Sequence, residues 1–223
     1  MKESGPFIGY YGFWVNLTYL SIVSAVLGMV FVLGGNIGYA IICLMVCGVC
    51  DMFDGSVAKL AKRNARKIGY GVQIDALADI VSFGVFPVVI GYAIGPNNLF
   101  QNYASLETAI FFAVASLYIL TALIRLAYFT VVEIELQGKN EKREYYEGMP
   151  VTTVAIIIPL AYAICLYFGF SFYAMYNVML FLISVAFVTR VRVPKLRKRT
   201  LSIFILIGLP IIIYLIWNIG VRI

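Results

Sequence analysis

Apolar runs long enough to cross a bilayer recur along the whole chain, separated by short connections that are either glycine-rich or basic. A membrane-spanning helix needs about 20 such residues in succession. The runs predict spans over 13–33, 39–59, 72–94, 108–132, 149–168, 173–189 and 201–219, with Pro210 positioned to kink the seventh. The fold class is therefore all-α: one polytopic transmembrane helix bundle over 1–223, with about seven spans and six to eight as the range. The first run is too long, and too weakly basic at its start, for a cleaved signal peptide and reads as a retained span. Asn16 and Thr18 near its entry are read equally well as a solvated helix end or as functional polar points.

Charge orients the bundle. Lys59, Lys62, Arg63, Arg66 and Lys67 fall between spans two and three. Lys139, Lys142 and Arg143 fall between four and five, and Arg190, Arg192, Lys195, Arg197, Lys198 and Arg199 between six and seven. The alternate connections carry no Lys or Arg. The positive-inside rule then puts the basic connections and the amino terminus in the cytoplasm, in an integral, multi-pass protein of the cell membrane. With 62% hydrophobic residues, the net charge of +6 is a topology signal and an attraction for anionic headgroups, with no case for a nucleic acid. The sequence has no histidine, which excludes His-based zinc sites and Ser-His triads. Cys47 and Cys50 form a C-x-x-C inside an apolar helix, where packing is the better reading than redox chemistry.

Every aspartate in the sequence lies in two neighbouring stretches: Asp51 and Asp54 at the end of span two, Asp75 and Asp79 in span three. An ionised carboxylate in such surroundings costs several kcal/mol unless it is paired or bound to a cation. Asp51 and Asp54 share one helix face with Gly55 and Ala58, and Gly71, Asp75 and Asp79 form a second stripe. Antiparallel packing of the two helices would bring four carboxylates together beside side-chain-poor surfaces. Oxygen-only ligands suit Mg2+ or Mn2+, and small residues let a phosphorylated ligand approach the backbone.

Asp51, Asp54, Gly55, Ala58, Gly71, Asp75 and Asp79, in this order, resemble the signature of the CDP-alcohol phosphatidyltransferases, Asp-x-x-Asp-Gly-x-x-Ala-Arg, a spacer, then Gly-x-x-x-Asp-x-x-x-Asp. Lys59 stands where that signature has arginine, and the spacer is a few residues longer. The resemblance implies Asp51, Asp54, Asp75 and Asp79 as ligands to two divalent ions, Mg2+ or Mn2+. It implies Asp79 as the catalytic base as well, and Gly55, Ala58, Lys59 and Gly71 as the CDP-lipid site. It also implies a homodimer whose lipid substrate stays in the bilayer. The stretch from Gln73 to Pro87, Ile124 to Phe129, and Tyr146 to Pro150 resemble segments of the integral-membrane phosphatidylserine synthases within that family. They imply L-serine as the acceptor for a phosphatidyl or archaetidyl group from CDP-diacylglycerol or CDP-archaeol, with release of CMP.

Apart from Lys59 at the very end of the second span, Arg125 is the one basic residue these boundaries put inside a span, and a buried arginine needs an anion. The carboxylate of serine would satisfy it in bidentate fashion; snorkelling, or pairing with a cluster aspartate, would do so equally. Another acceptor in the same family, inositol phosphate or glycerol phosphate, would call for more basic residues in the pocket. A cation-coupled transporter would instead place ionisable groups at mid-membrane, whereas these acids lie near the cytosolic ends of two spans.

Overall fold

The computed structural model describes residues 8–61, 63–95, 105–138, 145–190, 192–194 and 208–217. These are helical apart from one short ribbon. A single 3-10 turn, Phe13–Val15, leads into α1 (Asn16–Leu33), followed by α2 (Ile37–Ala58) and α3 (Ala65–Asp79). α3 runs through a π-helical turn, Ile80–Val85, into α4 (Phe86–Ile94), so that Ala65–Ile94 is one continuous span. Then come α5 (Leu106–Gly138), α6 (Val154–Phe168), α7 (Phe172–Val188) and α8 (Gly208–Trp217). Among the described residues, five helices are long and apolar enough to cross a membrane, and Met175–Val188 and Gly208–Trp217 are shorter apolar helices. β1 (Tyr145–Glu147) pairs antiparallel with β2 (Arg192–Pro194), tying the connection before α6 to the segment after α7. Lys62, Lys139, Lys142, Arg143, Lys195, Arg197, Lys198, Arg199 and the expected start of the last span at 201–207 lie outside the described residues.

Span three begins at Ala65, seven residues before the apolar run that predicts it. The Asn64 side chain accepts the Lys67 N–H at 2.9 Å and caps the helix, so the basic first turn of α3 extends past its apolar part. α5 similarly continues to Gly138, beyond the apolar limit at Val132.

α1 and α2 form the most intimate helix pair, through small residues. Ser21, Ser24, Ala25 and Gly28 recur every three or four positions on α1, which lets the two backbones approach, as in membrane helix pairs generally. The Ser24 hydroxyl donates to the Cys43 carbonyl at 3.0 Å, and the Cys47 thiol to the Ser21 carbonyl at 3.3 Å. Cys47 and Cys50 are free thiols, in line with packing. The core then fills with Ile41, Leu44, Phe83, Phe86, Ile90 and Tyr118.

The hairpin made by α2 and the Ala65–Ile94 helix is not uniformly closed. α2 packs against α4 and the π turn, whereas α2 and α3 have little backbone contact. The antiparallel arrangement anticipated from the aspartate stripes brings the carboxylates together, with the closer backbone approach at its far end. The end beside the 59–64 connection is splayed.

Candidate active site

Into that splayed end project the aspartates. Asp51 and Asp54 occupy the last two turns of α2, and Asp75 and Asp79 the last two turns of α3. Asp51, Asp54 and Asp75 each offer a carboxylate oxygen, all within 4.8 Å of one another. Asp79 completes the set by abutting the Asp51 carboxyl, as Asp75 abuts Asp54. Asp54 and Asp79 are buried and the other two half-buried. The Asp79 carboxyl feels the charges of all three others, Asp51 lies against Asp75 and Asp79, and Asp54 against Asp75 and Asp51, with the Gly55 N–H also at Asp54. Four mutually repelling, partly desolvated carboxylates with only oxygen donors are the donor set that hard divalent cations require, so the residues present fit such an ion.

The small residues differ in what they face. A side-chain carbon added at Gly55 would meet no atom within 4 Å, so α2 presents bare, exposed backbone next to Asp54. Ala58 is half-buried one turn on, and Lys59 is exposed in the turn that ends α2. Gly71 is different. A carbon there would come 3.1 Å from both the Arg63 Nη1 and the Trp14 Cζ3. The Arg63 guanidinium lies 5.2 Å over the Trp14 ring, and Tyr70 packs edge-on against Trp14 and Tyr10. An aromatic wall therefore covers Gly71 and brings the Arg63 cation within one turn of Asp75. Sequence reasoning had used Arg63 only for orientation, and nothing in the spacing linked Trp14 to α3.

Arg125 is buried on α5. Its Nε donates to the Met149 carbonyl at 3.2 Å, and the guanidinium lies 5.6 Å from the Phe129 ring centroid. Gly148 makes this possible: its φ of +76° suits glycine, and an added carbon would stand 3.1 Å and 3.2 Å from the Phe187 and Thr189 carbonyls. The stretch from Gly148 to Pro150 is thus clamped between α5 and the end of α7.

Comparison with known proteins agrees with this geometry. Over 124 residues the chain is 36% identical to the CDP-diacylglycerol–serine O-phosphatidyltransferase of Saccharomyces cerevisiae, a match that takes in 54% of this chain and 40% of the yeast protein. The enzyme of the same name from Mycobacterium leprae is 26% identical over 189 residues, covering 84% of this chain and 59% of that one. The archaetidylserine synthase of Methanothermobacter thermautotrophicus is 27% identical over 146 residues, 66% of this chain and 55% of its own length. The chain thus spans between two fifths and three fifths of these relatives. The family model for CDP-alcohol phosphatidyltransferase matches residues 15–190, from the start of α1 to just past α7 and including the four aspartates, Gly55, Ala58, Lys59, Gly71 and Arg125. A match over that much of the chain, on a helical bundle with the aspartates gathered at one mouth, makes this protein a member of the CDP-alcohol phosphatidyltransferase family.

Proposed function

We propose that the protein transfers a phosphatidyl or archaetidyl group from a CDP-lipid to the hydroxyl of L-serine, releasing CMP. The observation that carries this reading is the convergence of Asp51, Asp54 and Asp75, with Asp79 against them, in the splayed mouth of the α2–α3 hairpin. Serine as acceptor rests on the names of the relatives and on the segments around Arg125 and Gly148.

Asp51, Asp54, Asp75 and Asp79 hold two divalent cations, Mg2+ or Mn2+, on the cytosolic side of the cell membrane. Bound there, the cations neutralise the charge of the pyrophosphate and of the departing CMP. The bare backbone at Gly55 and Ala58 admits the CDP group, Lys59 and Arg63 offer cations to its phosphates, and the lipid tails stay in the bilayer. Asp79 accepts the proton of the serine hydroxyl as its oxygen bonds to the lipid-side phosphorus and the bond from that phosphorus to CMP breaks. Arg125, buried on α5 beside Gly148 and Met149, binds the serine carboxylate. The family resemblance supports a homodimer.

The test is CMP release by the purified protein in detergent with CDP-diacylglycerol and Mn2+, with serine, inositol phosphate or glycerol phosphate supplied separately. Serine-dependent release that is lost on chelation is the expected outcome. Release only with another acceptor would overturn the serine assignment while keeping the metal site, and no release with any acceptor would overturn the reaction.

A further inference from the structure

We propose that Tyr118 and Ser82 are positioning residues that aim Asp79, by fixing the π-helical turn that begins immediately after it. This rests on the phosphatidyl-transfer reading above.

A π turn holds one more residue than an α turn, so it swings all that follows by about 100° relative to a continuous α-helix. Such turns are uncommon and are found frequently at functional sites. Here the turn occupies Ile80–Val85, with the Phe86 N–H reaching back to the Val81 carbonyl. It lets one span do two jobs. Asp75 and Asp79 before it face α2's carboxylates, while Phe86 and Ile90 after it fill the core.

Two buried contacts hold this turn, from opposite sides. The Ser82 hydroxyl lies 3.1 Å from that of Ser21, whose carbonyl takes the Cys47 thiol, so α1, α2 and the turn are linked. On the other side the Tyr118 hydroxyl donates to the Phe83 carbonyl at 2.6 Å. The α-helical donor for that carbonyl would be residue 87, a proline with no N–H, so the phenol supplies what the helix lacks. Gly84 leaves room inside the turn for the Ile80 side chain, whose Cδ1 would stand 2.5 Å from an added carbon. A second phenol provides an internal control. The Tyr176 hydroxyl donates to the Pro87 carbonyl at 2.7 Å, on the same helix but beyond the π turn.

The experiment compares Tyr118→Phe, Ser82→Ala and Tyr176→Phe with the unmodified protein in detergent. Mn2+ affinity without substrate is read from the free-ion electron paramagnetic resonance signal, alongside kcat, the serine KM and thermal unfolding. Loosening the support of a metal ligand is expected to weaken Mn2+ binding by about tenfold in Tyr118→Phe and Ser82→Ala. kcat should fall with it and the serine KM stay unchanged. Tyr176→Phe loses a phenol-to-carbonyl hydrogen bond of similar length beyond the turn and is expected to lower the unfolding temperature while keeping Mn2+ affinity and kcat. Folded Tyr118→Phe with unaltered Mn2+ affinity and kcat would overturn the proposal, as would equal losses of Mn2+ affinity in all three variants, which would make the bonds merely structural. Should Tyr118→Phe fail to fold, Ser82→Ala alone decides by the same two measurements. An unmodified protein that neither binds Mn2+ nor releases CMP would bring down the transferase reading and this proposal with it, an outcome visible in the control arm alone.

Discussion

Glycine is used in opposite ways at the two ends of the α2–α4 hairpin. At the closed end, a carbon added to Gly28 would fall 2.2 Å from the Phe86 ring and 2.9 Å from the Cys43 Cβ, and one on Gly91 would fall 2.9 Å from the Tyr176 ring. These glycines are sockets for neighbouring aromatic rings. At the open end Gly55 faces nothing within 4 Å, beside a buried carboxylate. A membrane bundle gains its stability from close packing, so space left next to desolvated charge contributes nothing to folding. The same residue type serves cohesion at one end and leaves room for a substrate at the other.

The contrast can be broken or sharpened by substitution. Asp79→Asn, at the open end, should lower CMP release by at least ~100-fold, the scale of a lost general base, with folded protein retained; near-normal turnover would remove Asp79 from that role. At the closed end Gly28→Ala should destabilise by about 1–3 kcal/mol through overpacking against Phe86, seen as a lower unfolding temperature in detergent. Arg125→Lys, which keeps the charge and loses the planar fork, should raise the serine KM by about tenfold with kcat little changed. The sharpest contrast is Gly55→Ala, the same added methyl as in Gly28→Ala. It should leave the unfolding temperature equal or higher and raise the CDP-lipid KM several-fold, and a fall in stability would refute the open-space reading. Smallest is Gly69→Ala, also facing nothing within 4 Å in the middle of α3, which should stabilise the helix by up to ~1 kcal/mol.

How much of this was legible in the sequence follows from what each feature depends on. Hydrophobic run length is a one-dimensional property, and among the described residues it located the helices to within a few residues except at the start of α3, carried below its apolar part by capping at Asn64 and a basic first turn, and at the end of α5, which runs on to Gly138. The spacing of Asp51, Asp54, Asp75 and Asp79 is likewise local, because helix periodicity turns it directly into two facing stripes. The splay of the hairpin is not local: it lies between two helices and is seen only in how α2 packs on α1 while α3 stands away from it. Nor was the π turn readable, since Ile80–Val85 has the same apolar composition as a continuous helix and Ser82 and Pro87 find their significance only against Ser21 and Tyr118. The wall of Trp14 and Arg63 over Gly71 joins residues from two connections by stacking, a contact with no periodic signature.

The proline in the third span also bears on the order in which the protein assembles. In the bilayer interior a carbonyl without a donor is costly, and the phenol that reaches the Phe83 carbonyl, whose α-helical donor would be a proline, comes from 35 residues further along the chain. While the chain emerges from a ribosome, the third span must enter the membrane before α5 and α7 exist to meet it. Its polar backbone then acts as a standing demand for the helices still to come. Docking of α5 is thereby tied to one face and one depth, and the active-site mouth reaches its final shape only when a later part of the chain has arrived.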